Sequence, residues 1–150
     1  MLKSFFSIIL LSLSLSGIAQ SGNLVKWKFS AKKISATKYE LHMTANLPAG
    51  WHIYSQNMAD GGPEPTKFTF AKNALVANNG KPKEVGKMIK SHDENFGIDV
   101  KYYSTKVDFV QTVTLKGKIN TNVSGDVYYM ICNDSKCLPP TTTNFNIALK

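Results

Sequence analysis

The sequence contains no arginine. All 18 of its basic side chains are lysine, set against 10 acids for a formal net charge of +8. A basic balance invites a nucleic-acid reading, but arginine is the residue whose planar fork grips phosphates and guanine edges at two points. The lysines are also scattered, at Lys26, Lys28, Lys32, Lys33 and Lys38, then Lys81, Lys83, Lys87 and Lys90, then singly. They read as solvated faces, with attraction to an acidic partner or membrane surface as the lesser alternative, and no nucleic-acid partner is expected. Cysteine is nearly absent too: Cys132 and Cys137 are the whole complement, which excludes a disulfide joining two sheets through residues far apart in sequence. The three histidines, His42, His52 and His92, include no pair at metal-ligand spacing. No metal and no other cofactor is expected. No window carries a 3.6-residue apolar repeat, so helices are not expected either.

Long apolar runs are missing beyond the first residues. Lys3 is followed by an apolar stretch from Phe5 to Leu15 and by small residues at Gly17 and Ala19. This is the charged, apolar and small-residue order of a secretory signal peptide, and it is shorter than the roughly 20 residues that a membrane span needs. Cleavage after about Ala19 is expected, leaving residues 20–150 as one soluble, exported domain with no stable membrane insertion. That domain keeps 17 of the 18 lysines, since only Lys3 departs.

What the chain does have is alternation. Trp27 and Phe29, then Tyr39, Leu41, Met43 and Ala45, then Phe68 and Phe70 each alternate with polar neighbours. Val107, Phe109, Val113 and Leu115 continue the pattern, as do Val127, Tyr129 and Ile131, and finally Phe145, Ile147 and Leu149. A period of two is the mark of strands with one buried face. Turn clusters separate them: Leu47-Pro48-Ala49-Gly50, Asp60 to Pro65, Asn78-Asn79-Gly80 and Ser124-Gly125. The expectation is an all-β, immunoglobulin-like antiparallel β-sandwich without internal repeats.

The most informative segment is Cys132-Asn-Asp-Ser-Lys-Cys137, followed by Leu138-Pro139-Pro140. Four intervening residues can form a turn that brings the sulfurs together, and export favours a disulfide. Two readings stand at this point. One is a structural staple, whose short loop yields only about 2 kcal/mol by chain entropy. The other is a redox-active dithiol, whose closeness in sequence lets it open without disturbing the fold. Lys136 favours a thiolate at Cys137 and Asp134 opposes it. A cysteine hydrolase is disfavoured, because a second cysteine nearby would quench the nucleophile.

The run Val127-Tyr128-Tyr129-Met130-Ile131-Cys132, four residues, then Cys137-Leu138-Pro139-Pro140 resembles the active-site strands of the N-terminal periplasmic domain of the thiol:disulfide interchange protein DsbD. Two more segments resemble it in the same order: Gly50-Trp51-His52-Ile53-Tyr54-Ser55-Gln56, and the acidic-aromatic His92-Asp93-Glu94-Asn95-Phe96-Gly97. This chain has one residue fewer between its cysteines than the best-known members, and Asn95 stands between its acidic pair and Phe96.

The resemblance implies a periplasmic immunoglobulin-like domain that relays reducing equivalents between proteins through its cysteine pair. Cys137 would form the mixed disulfide with partners, and Cys132 would resolve it. Asp93, Glu94, Asn95, Phe96 and Gly97 would be a cap loop over the pair, with Trp51, His52, Tyr54, Tyr129, Lys136 and Pro139 flanking the site. The implied acceptors are thioredoxin-like or disulfide-isomerase proteins of the periplasm, including those of cytochrome c maturation. The implied donor is a separate membrane-embedded protein. Such a protein is a redox carrier whose substrate is another protein's disulfide. The alternative is a non-catalytic cell-envelope binding module in which the Cys132–Cys137 disulfide only holds a turn.

Overall fold

The computed structural model describes residues 24–94 and 96–150. The expected signal peptide, residues 1–19, and Asn95 of the expected cap loop lie outside the described residues. Ten strands follow one another: β1 (Lys26–Lys33), β2 (Lys38–Asn46), β3 (His52–Tyr54), β4 (Lys67–Phe70), β5 (Val76–Asn78), β6 (Lys83–Asp93), β7 (Ile98–Leu115), β8 (Thr121–Tyr129), β9 (Ile131–Cys132) and β10 (Thr141–Leu149). Every pairing is antiparallel. One sheet has the order β1-β2-β7-β3-β9, with β5 and β6 also paired to β7, and the second has the order β10-β8-β4.

The alternating residues do what their period requires. Tyr39, Leu41, Met43 and Ala45 of β2 sit beside Val113, Phe109 and Val107 of β7 on the inner face of the first sheet, all buried. Val123, Val127 and Tyr129 of β8 and Phe145, Ile147 and Leu149 of β10 face them from the second sheet. Each fully buried side chain of this kind contributes roughly 1.5–3 kcal/mol by leaving water. Gly125 leaves room for the Phe145 ring paired with it; a methyl group there would sit 2.7 Å from Phe145 Cζ and collide with the Thr69 carbonyl.

β7 carries the feature that separates core from site. Gly86 of β6 pairs with Val107, but Met88 pairs with Tyr103, so Ser104, Thr105 and Lys106 stand against Lys87 alone. Thr105 has φ 67°, and it is the one non-glycine residue with positive φ among the described residues. A β-branched side chain in that region costs about 1–3 kcal/mol. Its carbonyl accepts the Leu47 N–H at 2.8 Å. Beyond this bulge β7 changes neighbour, from β2 at Lys106–Thr114 to β3 at Tyr102–Ser104.

Two details differ from the sequence pattern. Val127, Tyr129 and Ile131 read as one run, but the chain crosses between sheets at Met130: Tyr129 ends β8 in the second sheet and Ile131 opens β9 in the first. β5 and β6 carried no alternation to find. β6 pairs with β7 and is exposed along most of its length, so burial does not constrain its side chains to alternate.

Candidate functional site

The short strands β3 and β9 and the first part of β7 are two-sided. Ile53 pairs with both Tyr103 and Ile131, and all three belong to the main core. The residues between them point the other way, because neighbouring side chains on a strand alternate. His52 pairs with Cys132, and Tyr54 pairs with Tyr102. On this opposite face a second, smaller cluster forms from Tyr54, Val100 and Cys132, with Met58, Ile98, Tyr102 and Met130 packed around it. Cys132 is 2% exposed.

Cys132 and Cys137 are joined by a disulfide with their Cα atoms 4.0 Å apart. They are directly opposed in an antiparallel bridge, flanked by Asn133 N–H to Lys136 O and Leu138 N–H to Ile131 O, each 2.9 Å. That makes them a non-hydrogen-bonded pair, the position in an antiparallel ladder where side chains approach most closely. The turn also has its own brace. Asn133 Oδ1 accepts the backbone N–H of Ser135 at 2.9 Å and of Lys136 at 2.8 Å. The two ends of the bond differ sharply, since Cys137 is exposed on the turn while Cys132 is buried.

The polar groups beside Cys132 are aromatic. His52 Nε2 lies 3.1 Å from Tyr54 Oη, and the His52 ring packs 4.3 Å from the centroid of Tyr102. Burial holds the His52 pKa below the ordinary 6.5, and the carboxylates of Asp134 and Asp93 offset part of that shift. Tyr54 is pushed up to about 12, first by burial, then by the negative charge of Asp93 and by Tyr102. The hairpin tip from β6 and the cysteine turn therefore both reach His52 electrostatically.

That tip is the segment expected to be a cap. The Gly97 N–H closes it on the Asp93 carbonyl at 2.7 Å, with Gly97 at φ 64°, where a residue without a side chain is the least strained. The Phe96 N–H meets Asp93 Oδ1 at 3.4 Å, and His92 pairs with Asp99 across the hairpin at 2.9 Å. Phe96 is 41% exposed, so it is not tucked into the core. The β7 arm of the same hairpin delivers Ile98, Val100 and Tyr102 to the cluster around Cys132. The segment after β3 is anchored from the far side by Glu84, which accepts Ser55 Oγ at 2.8 Å, the Gln56 N–H at 2.6 Å and Tyr103 Oη at 2.8 Å. Burial and the Glu84 contact raise the Tyr103 pKa.

Of the residues singled out in the sequence, the structure gathers Cys132, Cys137, His52 and Tyr54, with Asp93 within electrostatic reach. Lys136 and Pro139 are exposed in and after the cysteine turn, and Glu94 and Phe96 are exposed on the hairpin tip. Trp51 and Tyr129 are not brought to this cluster. Trp51 packs on the main core, and the Tyr129 ring meets Trp27 there at 5.4 Å. Alternation was the available signal, because Trp51 shares a face with Ile53 rather than with His52. Tyr102, Val100, Ile98, Met58 and Met130 were missed. Tyr102 was readable only once β3 had been paired with β7. Among the described residues no group of three His, Cys, Asp or Glu side chains could hold a metal ion, and no helix is long and apolar enough to cross a membrane.

Residues 23–149 match the family model described as thiol:disulfide interchange protein DsbD, N-terminal. Among solved structures, the chain is similar to the reduced DsbD N-terminal domain of Neisseria meningitidis, with 15% identity and a TM-score of 0.54 over 84% of this chain and 86% of that one. It is similarly close to the structure of the complex between the DsbD and PilB N-terminal domains of the same organism, with 14% identity and a TM-score of 0.53 over 87% of each chain. These likenesses identify the fold as the immunoglobulin-like β-sandwich expected from the sequence. No curated protein sequence matches the chain.

Proposed function

The chain belongs to the family of the DsbD N-terminal domain, and from that membership and its half-exposed disulfide we propose that it relays reducing equivalents between exported proteins at Cys132 and Cys137. The observation that carries the reading is the asymmetry of the bond. A disulfide opens by attack of a thiolate on one sulfur while the other leaves. Cys137 is the accessible end, and Cys132 is enclosed by Tyr54, Val100 and their neighbours. A donor thiolate attacks Cys137 and expels Cys132, and a second donor thiol releases the reduced pair. In the other half-reaction Cys137 attacks an acceptor disulfide, and Cys132 resolves the mixed disulfide by displacing the acceptor's second thiol.

The turn supports repeated opening. Its two ladder bonds and the two bonds to Asn133 Oδ1 are made by backbone and amide groups rather than by the sulfurs. A staple would have little left to hold. The acceptors that suit this site are thioredoxin-like or disulfide-isomerase proteins of the periplasm, with a membrane-embedded protein as donor. The solved complex of a Neisseria DsbD N-terminal domain with a PilB N-terminal domain is a precedent for a protein partner. In this reading the hairpin tip Asp93–Gly97 caps the pair, with Phe96 restricting access until a partner displaces it.

The test is trapping together with a potential. Cys132→Ser is expected to accumulate mixed disulfides through Cys137, and Cys137→Ser to accumulate none. The wild-type pair is expected to equilibrate with thiol buffers between about −180 and −270 mV. A potential below about −300 mV, with no trapped partner, would make the disulfide structural.

A further inference from the structure

We propose that His52 is the proton acceptor for the Cys132 thiol in the resolving step. The inference rests on the exchange reading and adds to it the group that activates the buried sulfur. Its starting point is a difficulty. A thiolate is the nucleophile in exchange, and an apolar enclosure disfavours thiolates. Tyr54, Val100, Ile98, Met58, Tyr102 and Met130 form such an enclosure around Cys132. The reduced pair therefore presents an exposed sulfur that can attack and a buried one whose proton must be removed before it can resolve.

The register supplies the base. His52 and Cys132 are direct partners in the β3–β9 ladder. Directly opposed residues of an antiparallel pair point to the same face, with Cβ atoms about 4.5–5.5 Å apart. On the other side of β3, His52 pairs with Ser104 of β7. The ring is fixed by its neighbours: Tyr54 Oη lies 3.1 Å from Nε2, and Tyr102 packs against the ring at 4.3 Å. In the tautomer whose Nε2–H donates to the Tyr54 oxygen, Nδ1 carries the lone pair and is the ring atom able to accept a proton. The charged groups facing the imidazole are Asp134 of the cysteine turn and Asp93 of the hairpin tip, and both favour its protonated form. His52 is thus neutral at rest because of burial, and the imidazolium that forms when it accepts a proton is stabilised by two carboxylates.

The step balances without another reagent. With the acceptor bound through Cys137 as a mixed disulfide, His52 takes the Cys132 proton. The Cys132 thiolate attacks Cys137 Sγ, the Cys132–Cys137 bond forms, and the bond to the acceptor breaks. The acceptor leaves as a thiolate and collects the proton from the imidazolium. The pair is oxidised by two electrons and the acceptor disulfide is reduced by two.

A chromogenic disulfide such as 4,4′-dithiodipyridine separates the two chemical events. Attack by Cys137 releases the first equivalent of thiopyridone, and resolution by Cys132 releases the second. In His52→Gln the second phase is expected to slow by about 10²-fold at pH 7, the lower end of general-base effects, while the first stays within about twofold. The wild-type second phase is expected to be flat from the ordinary histidine range upward and to fall only at lower pH, where the half-buried imidazole protonates. That of His52→Gln should instead rise about tenfold per pH unit. Equal second phases with equal pH profiles in the two proteins would overturn the role of His52 and leave the exchange function standing. If reduced wild type released no second equivalent at all, the exchange reading itself would fail. Should His52→Gln not fold, the wild-type profile decides alone, because a tenfold rise per unit from pH 5 to 8 without a plateau excludes the base.

Discussion

The side-chain oxygen of Asn133 accepts the backbone N–H of Lys136 at 2.8 Å, so the chain turns between the two cysteines by its own hydrogen bonding. The second bond of the same oxygen, to Ser135, fixes the first half of the turn. The disulfide then joins two side chains that the backbone has already set face to face. Closing it costs little ordering, and opening it releases little.

Asn133→Ala tests that relationship. Without the side-chain acceptor, the reduced turn frays while the oxidised one is still held by the bond between the sulfurs. The reduced state gains freedom, so the pair should become easier to reduce. Each of the two lost hydrogen bonds is worth about 0.5–1.5 kcal/mol, and 1.4 kcal/mol corresponds to about 30 mV for this two-electron couple. The midpoint potential should rise by up to about 60 mV, measured by equilibration in thiol buffers. An unchanged potential would mean that the turn is held equally well by its ladder bonds.

Thr105→Gly addresses the bulge. The threonine occupies φ 67°, which a glycine adopts without side-chain conflict. Relief of that conflict should outweigh the added freedom of the unfolded chain. A net gain of about 1 kcal/mol is expected in denaturant unfolding. Gly86→Ala should do the reverse. Its added carbon would sit 3.1 Å from the Lys106 carbonyl and 3.2 Å from the Tyr103 ring, crowding the same bulge.

The tyrosines set a limit at high pH. Tyr54 has a folded pKa of about 12 against 10 in the unfolded chain, and that of Tyr103 is raised as well. Between the two values the folded state keeps a proton that the unfolded state has released. Stability contributed by these groups is complete below pH 10 and is lost as pH rises from 10 toward 12. Tyr54→Phe should flatten that loss, visible as a smaller drop in melting temperature between pH 9.5 and 11. His52 acts at the other end. Its lowered pKa means that stability falls as pH drops below 6.5, until the folded imidazole also protonates.

Much of this architecture was legible in alternation. The inner faces of β2, β7, β8 and β10 each announce themselves as every second residue, because one face of each is buried against the opposite sheet. β6 was not legible, since an exposed edge leaves its side chains free of that constraint. The break at Met130 was hidden for a different reason. The alternating pattern carries on across the crossing, so Tyr129 and Ile131 look like one strand although they serve different sheets. At the site, the cysteine turn was plain from spacing, and resemblance to the DsbD N-terminal domain pointed to His52, Tyr54 and Asp93. Tyr102, Val100 and Ile98 come from β7, distant in sequence from Cys132, and only the pairing of β7 with β3 brings that strand to the site.

The two-sided use of β3, β9 and the first part of β7 has a consequence for how such a protein can change. Ile53, Tyr103 and Ile131 hold the fold, while His52, Tyr102 and Cys132 alternate with them along the same backbones. Substitutions on one set need not disturb the packing of the other. A lineage, or an engineer, can therefore retune the chemistry at the sulfur one alternate position at a time while the scaffold is inherited intact.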